Sequence, residues 1–319
     1  MKFLDADAVH DLLDYPSLVD GLAAEHRQPM DAMDRLHLQQ PDASGGDTHF
    51  LLLPAWQRGR ACGVKLVTVF PENLDAGELP SIQGVYVLFD GTDGAPLAVI
   101  DGTALTLRKT AADSALGARL LARDDAERML MVGAGALAPH LVRAHVAIRP
   151  SLRRVAVWNR TAARAAAVAA DLSLCGVTVD ATEDIEAAAR GADLICCATA
   201  STAPLIRGAW LKPGAHLDLI GSFTPEMREC DDEAMARGRV HVDSRDFTVG
   251  TCGDLMAPMA SGALTEADIR GDLFQLCQGT VPGRTGADEV TVFKNGGGGH
   301  LDLMTAIVLL QRADVAPAG

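Results

Sequence analysis

A run of small residues near the middle of the chain, M-V-G-A-G-A-L-A, could do chemistry through its backbone. Gly133, Gly135 and Ala138 follow an apolar segment and open an alanine-rich one. In this G-x-G-x-x-A spacing the first glycine permits a tight turn, the second lets the backbone approach a pyrophosphate, and the alanine lets helix and strand pack closely. The N–H groups at the start of the helix would bind phosphate. We expect cofactor contacts from Gly133, Ala134, Gly135, Ala136 and Leu137.

The end of the next expected strand bears on the choice of dinucleotide. That strand is followed by Asn159, Arg160 and Thr161. A unit that selects NADH usually carries an acidic residue here, to bind the ribose 2′-hydroxyl. A neutral amide beside a guanidinium and a hydroxyl suits a 2′-phosphate instead, which favours NADPH, with NADH binding more weakly. In the alternative interpretation Arg160 is a surface residue and Thr161 caps a helix.

The composition argues against several classes of function. The chain has 319 residues, of which 48% are hydrophobic and 4% aromatic, and its net charge is −14. This acidity disfavours a nucleic-acid partner, because phosphate backbones attract clustered Lys and Arg. An anionic substrate must therefore be held by local cations.

Targeting signals and metal-ligand spacings are not found in the sequence. The N-terminus lacks a secretory apolar core and no segment approaches membrane-spanning length, so we expect a cytoplasmic protein without a membrane partner. The seven cysteines form no C-x-x-C pair, which indicates reduced, mostly buried thiols and no metal site. They are Cys62, Cys175, Cys196, Cys197, Cys230, Cys252 and Cys277.

The hydrophobic pattern of the first third predicts helices around a meandering sheet. Residues 1–30 carry apolar side chains at helical spacing, and another helix is expected from Thr106 to Arg123. Between them, short apolar runs are broken by Gly, Pro and Asp, as in consecutive strands. The strands are expected at Phe50–Leu53, Cys62–Phe70, Val85–Phe89 and Leu97–Asp101.

From residue 128 onward apolar strands and helices alternate, which is typical of a parallel sheet covered on both faces. Helices are expected near 138–148, 161–171 and 184–190, and strands at Met129–Val132, Arg154–Trp158, Val177–Val179, Leu194–Ala198, His216–Ile220 and Val240–Val242. Near Lys294 the chain is expected to leave this pattern, before a final helix at Leu303–Leu310. We predict an α/β protein with a Rossmann-type doubly wound parallel sheet (116–297). It is inserted in an α+β substrate-binding and dimerisation domain (1–115 with 298–319).

Five stretches, taken in this order, carry a family resemblance. They are Gly63–Thr68, Pro80–Gly84, Thr110–Ala115, Gly133–Ala138 and Gly221–Pro225. Together they closely resemble the ornithine cyclodeaminase/μ-crystallin family, across nearly the whole chain. The resemblance implies a homodimer in which the N-terminal sheets of two subunits join. It also implies a nicotinamide cofactor that meets a small amino or imino acid in a cleft between the domains.

Within that family, one position separates the activities. Cyclodeaminases and related alanine dehydrogenases carry an Asp just after the fifth strand, where it handles protons of the substrate amine. Aligning Pro225 and Glu229 with the family motif puts Phe223 at that position. Phe cannot exchange a proton, which argues against cyclodeamination. The run 221–229 instead resembles the bacterial ketimine reductases, in which Phe223 would cover the substrate ring.

The resemblance also implies which cations hold the substrate carboxylate. Lys65 matches the Lys of the family's Gly-x-Lys strand, and it interrupts an apolar run where an unpaired charge would be costly. The family places Arg immediately before Thr-Ala-Ala, where this chain has Lys109, preceded by Arg108. Adjacent helical residues point about 100° apart, so the two would not serve equally, and position favours Lys109. Arg35 resembles another family Arg that binds the carboxylate.

Further contacts are expected where two later strands end and in a glycine run. The additional cofactor residues would be Ala198, Thr199, Ala200, Gly221 and Asn295. Gly297, within the run 296–299, would let the backbone pass close to substrate or nicotinamide, although a flexible hinge would equally favour glycine. Asp302 matches a family Asp, whereas His300 has no counterpart and could donate a proton.

These observations give the hypothesis of NADPH-dependent reduction of a cyclic ketimine. The substrates would be Δ1-pyrroline-2-carboxylate, reduced to L-proline, and its six-membered homologue Δ1-piperideine-2-carboxylate, reduced to L-pipecolate, with catalysis assigned to Lys65, Lys109 and Phe223. Such an imine can already be protonated near neutral pH, so orientation in a dry site would matter more than a strong acid. The alternatives are another amino-acid dehydrogenase, an ornithine cyclodeaminase, or a non-catalytic NADPH-dependent binding protein of the μ-crystallin kind.

Overall fold

The computed structural model of the protein describes residues 1–31, 33–41, 47–73, 79–173 and 176–315. The chain divides into two units, Met1–Lys109 together with the segment from Gly298 onward, and Thr110–Gly297. The functional domains proposed from the sequence, with boundaries at 115/116 and 297/298, remain a prediction.

The expected helices are present, the first of them divided in two, and four further short helices lie between residues 232 and 278. In chain order they are α1 (Ala6–Leu12), α2 (Tyr15–Glu25), α3 (Gly102–Leu121), α4 (Leu137–Ile148), α5 (Ala162–Asp171), α6 (Ile185–Gly191), α7 (Asp232–Arg237), α8 (Arg245–Thr248), α9 (Gly253–Ser261), α10 (Leu273–Gln278) and α11 (Gly299–Val315). The helical segment expected over residues 1–30 divides because Asp14 caps α2, accepting a hydrogen bond from the Ser17 N–H, and Pro16 occupies its first turn. None of the described helices has the length and apolar character to span a membrane.

The first unit contains a six-stranded sheet. Its strands are β1 (Lys2–Leu4), β2 (Leu36–Pro41), β3 (Asp47–Gln57), β4 (Ala61–Val69), β5 (Ile82–Asp90) and β6 (Pro96–Asp101). They lie in the order β1-β6-β5-β4-β3-β2, with β1 parallel to β6 and the remaining neighbours antiparallel. The predicted meander is confirmed, and β1 and β2 extend it at both edges.

The strand register gives this sheet two chemically different faces. Leu53, Lys65, Tyr86 and Ile100 form one row across β3 to β6, on the inner face. α11 packs against β3, β4 and β5, so Tyr86 and Ile100 are fully buried. The register therefore buries Lys65 in an apolar row, where its charge needs a partner.

The second unit is built on an eight-stranded parallel sheet. Its strands are β7 (Arg128–Val132), β8 (Arg154–Trp158), β9 (Thr178–Thr182), β10 (Leu194–Cys197), β11 (His216–Leu219), β12 (Arg239–Val242), β13 (Ile269–Asp272) and β14 (Thr291–Lys294). Their order is β13-β12-β14-β11-β10-β7-β8-β9. Alternating strands and helices give the predicted Rossmann-type α/β fold, and the side chains of the central strands form a buried apolar core.

The chain leaves the sheet after Lys294, as expected, but through a strand that the sequence analysis did not predict. Thr291–Lys294 is β14, which pairs with both β11 and β12. Lys294 is fully buried, and its ammonium group donates to the carbonyls of Leu219 and Asn295, each at 3.1 Å. The lysine that ends β14 is thus stabilised in a buried position by the carbonyls at the strand ends.

The cysteines of the described residues are not joined in disulfide bonds. Cys196, Cys197, Cys230 and Cys252 are buried, and Cys62 and Cys277 are partly exposed. Cys175 lies outside the described residues.

Candidate active site

In the second unit, the segments that follow β7, β8 and β10 line a cavity of about 440 Å³. The predicted cofactor residues in its lining are Gly133, Ala134, Gly135, Asn159, Arg160, Thr161, Ala198, Thr199 and Ala200. The lining also includes Trp158, Arg164, Ser201 and Leu205, which the sequence analysis did not assign. Parallel strands end at one edge of the sheet, so three separate segments contribute to one cavity.

The turn after β7 has the backbone that a pyrophosphate site requires. Gly133 has a φ of +112°, a conformation that side chains rarely adopt, and its N–H donates to the Trp158 carbonyl at 2.8 Å. At Gly135 a Cβ atom would meet no heavy atom within 4 Å, so this glycine leaves open space beside the turn. Ala136, before the first residue of α4, makes no side-chain capping bond. These features fit a bound dinucleotide phosphate.

The far end of the cavity carries positive charge. Arg160 and Arg164 are exposed in its lining, and none of the described lining residues is acidic. Asn159 is fixed by a hydrogen bond from Nδ2 to the Thr161 carbonyl, at 3.0 Å. Thr161 occupies the N-cap position of α5, but its side chain makes no capping hydrogen bond. The arrangement suits an anionic group near the Thr161 hydroxyl.

A buried carboxylate joins two of the loops at this edge. Glu229 accepts hydrogen bonds from the Thr199 N–H at 2.7 Å and the Thr199 hydroxyl at 2.9 Å through Oε1, and from the Gly221 N–H at 2.7 Å through Oε2. Burial raises the pKa of Glu229 to about 7, against the attraction of Lys294. Gly221 does not line the cavity, and Glu229 instead holds it beside Thr199, which does.

The start of the glycine run is also held by a carboxylate. The Asp243 side chain accepts hydrogen bonds from the N–H groups of Gly296, at 2.9 Å, and Gly297, at 2.6 Å. Gly297 has a φ of +71°. Asn295 is buried, and its Nδ2 donates to the Thr110 carbonyl and the Ser114 hydroxyl, each at 3.2 Å. Fixed hydrogen bonds and a left-handed backbone therefore account for glycine at the beginning of this run.

The described residues also bring together three buried groups that are able to ligate metals. His145 Nε2 and Cys196 Sγ each lie 3.3 Å from Asp218 Oδ2, and the Ser114 hydroxyl donates to Oδ1 at 3.1 Å. These hydrogen bonds account for the cluster without a metal ion. The network connects Asp218 through Ser114 to Asn295.

In the first unit, two ammonium groups share one carboxylate. Lys65 Nζ lies 2.9 Å from Asp302 Oδ2, and Lys109 Nζ lies 2.9 Å from Oδ1. Lys109 also donates to the Gly298 carbonyl at 3.1 Å. All three charged side chains are buried, so this lysine–aspartate cluster carries an excess of one positive charge. Such an excess makes the cluster a site for an anion.

Different elements supply the three members of the cluster. Lys65 comes from the inner face of β4, Lys109 from α3, and Asp302 from the first turn of α11. A carboxylate is favoured in the first turn by the positive end of the helix dipole. Burial lowers the pKa of Lys65 from 10.5 to about 8, with Asp302 opposing and Lys109 reinforcing that change.

The other predicted carboxylate ligands lie elsewhere. Arg108 donates through Nε to His10 Nδ1 at 3.0 Å and through Nη2 to the His10 carbonyl at 2.8 Å, and its guanidinium lies over the Tyr15 ring. Arg35 is exposed just before β2. The structure brings neither arginine into the lysine–aspartate cluster, because Arg108 leaves the helix in a different direction from Lys109.

The two aromatic candidates differ in exposure. Phe223 follows β11 and is 60% exposed. His300, next to the cluster, is fully buried, and burial together with His26 and Lys109 lowers its pKa well below the ordinary value. His300 is therefore a neutral imidazole at physiological pH, which does not suit a cationic proton donor.

A Rossmann-type sheet with this turn and cavity defines a nicotinamide-dependent oxidoreductase. The chain belongs to the ornithine cyclodeaminase/mu-crystallin family, whose model matches residues 16–315.

Individual relatives are similar over most of their length. The chain is 42% identical over 305 residues to the Delta(1)-pyrroline-2-carboxylate reductase of Paracoccus denitrificans, covering 96% of this chain and 95% of that protein. It is 46% identical over 263 residues to Protein SAR DEFICIENT 4 of Arabidopsis thaliana, covering 80% of each. Among solved structures, the Thermococcus litoralis Delta(1)-pyrroline-2-carboxylate reductase, in complex with NADH and L-proline, superimposes with a TM-score of 0.87. That match has 26% identity and covers 98% of this chain and 97% of the other.

Proposed function

We propose that this protein is an NADPH-dependent ketimine reductase. It reduces Δ1-pyrroline-2-carboxylate to L-proline, Δ1-piperideine-2-carboxylate to L-pipecolate, or both. The excess positive charge of the lysine–aspartate cluster carries the proposal, because a 2-imino acid presents one carboxylate beside its C=N bond. The names of the relatives, a pyrroline-2-carboxylate reductase among them, support the same substrate class.

In the proposed reaction the two lysines fix the substrate by its carboxylate. Lys65 Nζ contacts both oxygens of Asp302 and Lys109 Nζ contacts Oδ1, so the remaining N–H donors of the two groups can bind the carboxylate of the substrate. Bound NADPH supplies the hydride that the imine carbon accepts. The nitrogen ends as a secondary amine, and a ketimine that binds already protonated needs no further acid.

Phe223 distinguishes reduction from cyclodeamination. A phenyl ring has no exchangeable proton, so it cannot perform the acid–base step that the cyclodeaminases assign to an Asp. We propose instead that Phe223 covers the substrate ring and helps to exclude water. Arg35 and Gly297 remain proposed substrate contacts, and Arg108 is the less favoured alternative to Lys109.

The cavity in the second unit supports the proposed preference for NADPH. The pyrophosphate would lie at Gly133–Leu137 and the adenosine 2′-phosphate near Asn159, Arg160 and Thr161. Arg164, in the first turn of α5, adds a second guanidinium to the lining of the same cavity, four residues after Arg160. NADH lacks the 2′-phosphate and would forgo these contacts. Ala198, Thr199, Ala200 and Asn295 would contact the remainder of the cofactor.

We also propose a homodimer formed through the outer face of the first unit's sheet. Leu36, Leu38, Phe50 and Val85 lie on this face and are between 37% and 51% exposed. A contiguous apolar sheet face of this kind marks an interaction surface. Light scattering should give a mass near twice 33.5 kDa, and a monomer at micromolar concentration would contradict the proposal.

The deciding experiment follows NADPH oxidation by the purified protein with each cyclic imine. Pyruvate with methylamine serves as the open-chain substrate, and L-ornithine with NAD⁺ tests cyclodeamination. Rapid oxidation with a cyclic imine supports the proposed function, and the ratio of the two rates gives the preferred ring size. Tight NADPH binding without turnover would instead favour a binding protein of the μ-crystallin kind.

A further inference from the structure

We propose that Asp302 is a positioning residue that keeps Lys65 protonated beside Lys109, so that two ammonium groups face the substrate carboxylate. The inference rests on the proposed function for its substrate, and on the geometry of the lysine–aspartate cluster for its charge. Asp302 would not touch the substrate. It would act through the two lysines that do.

The geometry makes this carboxylate necessary. Asp302 Oδ2 lies 2.9 Å from Lys65 Nζ and Oδ1 lies 2.9 Å from Lys109 Nζ, and the buried Lys65 ammonium group also donates to Oδ1 at 3.1 Å. Two ammonium groups buried together repel each other and lose hydration, so one of them would give up its proton without an opposite charge between them. Asp302 supplies that charge and also sets the spacing of the two nitrogens.

Lys65 is the group that would respond to the loss of Asp302. The ionisable side chains around it are Asp302 and His300 on α11, Lys109 on α3 and Tyr86 on β5. Burial and Lys109 lower the pKa of Lys65, and Asp302 is the partner that raises it. His300 is neutral, and burial raises the pKa of Tyr86 well above its ordinary value, so neither can replace the missing charge.

The direction of the pH dependence follows from this arrangement. With Asp302 present, the pKa of Lys65 is about 8, so substrate binding is complete below that pH and is lost as the pH rises through it. With Asp302→Asn, the loss should occur roughly 1–3 pH units lower, which is the usual effect of removing an adjacent opposite charge. At pH 7 the variant should therefore show a KM for the ketimine that is higher by between about twofold and about 90-fold, with kcat changed much less.

The chain offers a direct measurement that does not depend on activity. It contains only five lysines, Lys2, Lys65, Lys109, Lys212 and Lys294. With ¹³C-labelled lysine, the side-chain Cε–Hε signals of the folded protein can be titrated, and the Lys65 signal is identified by its absence in Lys65→Met. The Lys65 signal should titrate near pH 8 in the parent protein and near or below neutral pH in Asp302→Asn.

Asp314→Asn is the matched control. Asp314 lies on the same helix, where it pairs with Lys2 at the surface, 2.7 Å away, with its side chain 59% exposed. This isosteric change should leave both the Lys65 titration and the pH profile of kcat/KM as in the parent. Thermal unfolding of all three proteins identifies any general loss of structure.

The outcomes separate the inference from the proposed function. A folded Asp302→Asn protein in which Lys65 still titrates near pH 8 would overturn the role of Asp302. If Lys65 shifts as expected but the parent does not reduce either cyclic imine, the charge assignment holds and the proposed substrate is wrong. If Asp302→Asn fails to fold, Asp302→Glu takes its place. It keeps the charge but displaces it, so the proposal requires the Lys65 titration to remain above neutral pH and the KM at pH 7 to rise.

Discussion

The cavity of the second unit and the lysine–aspartate cluster of the first are proposed to bind anions by opposite means. Around the cavity the groups that matter are backbone N–H groups and small residues such as Gly133 and Gly135, with the guanidinium of Arg160 exposed at the rim. The cluster instead buries the formal charges of Lys65, Lys109 and Asp302. Screening by water weakens the first kind of contact, whereas the second is strong but costs desolvation energy. Substitutions in the cluster should therefore have larger effects than substitutions at the rim.

The largest effect is expected from Lys65→Met, which keeps most of the length of the side chain and removes its charge. The variant loses one buried, hydrogen-bonded charge that would contact the substrate carboxylate. This loss should cost roughly 2–5 kcal/mol of transition-state stabilisation, so kcat/KM should fall by about 30-fold to several thousandfold. Lys109 and Asp302 would remain as a neutral pair. Steady-state kinetics with Δ1-pyrroline-2-carboxylate at pH 7 tests this, and Lys2→Met, at an exposed lysine, should behave like the parent.

The same substitution should stabilise the protein. The pKa of Lys65 lies below its ordinary value of 10.5, so its protonated form costs folding energy below about pH 8, and that cost disappears above pH 10.5. Lys65→Met should raise the free energy of unfolding at pH 7 by roughly 1–3 kcal/mol, with a smaller gain at alkaline pH. Urea unfolding measures it. A destabilised variant would mean that the ion pair contributes more than its burial costs.

At the rim of the cavity, Arg160→Ala should weaken NADPH without affecting NADH. A charge-assisted hydrogen bond to the 2′-phosphate contributes roughly 1.5–3 kcal/mol, so the Kd of NADPH should rise about 10- to 100-fold. Fluorescence titration of both nucleotides gives the two affinities, and added salt should weaken NADPH more in the parent than in the variant. Arg154→Ala, at the opposite end of β8, is the control. Equal losses for NADPH and NADH would show that Arg160 does not distinguish them.

These two regions also differ in how much the sequence could predict. The turn at Gly133 and the loop at Ala198 were expected because parallel strands place such segments at one edge. Arg164 was missed, although its place in the first turn of the helix expected at 161–171 offered a signal. In the first unit, sequence reasoning reached Lys65 from its position in an apolar strand. It could not indicate that Asp302, 237 residues away along the chain, lies beside it.

Short elements set the other limit of sequence reasoning. The meander and the first strands of the Rossmann sheet have clear periodicity, whereas β13 and β14 each span four residues. A strand of four residues is too short to show a period, so the sequence indicated only that the chain leaves the sheet near Lys294, where β14 ends. Likewise, Arg108 and Lys109 are adjacent in sequence, and the sequence does not show what either one contacts. The partner of Arg108 is His10, and this contact is visible only once the fold brings helix α3 beside residue 10.

The smallest effect is expected from Glu229→Gln. This position combines features of both regions, because a buried charge here shapes an exposed cavity. The carboxylate accepts three hydrogen bonds from Thr199 and Gly221. A glutamine amide can accept at only one end, so one loop loses its partner. NADPH affinity at pH 8 should fall by up to about tenfold, which corresponds to one weakened hydrogen bond.

The pH dependence of NADPH binding gives the sharper test of the role of Glu229. Burial raises the pKa of Glu229 from 4.5 to about 7, so the folded protein binds this proton more tightly than the unfolded chain. The resulting stabilisation is complete below pH 4.5 and is lost as the pH rises through 7. A protonated Glu229 can no longer accept at both oxygens, so NADPH binding to the parent should weaken below pH 7. Titration of the 2′-phosphate itself affects the parent and Glu229→Gln alike, so only the difference between their affinities from pH 6 to 8 reports Glu229. A constant difference would show either that Glu229 does not change its protonation in this range or that the loops at Thr199 and Gly221 are held independently of its charge.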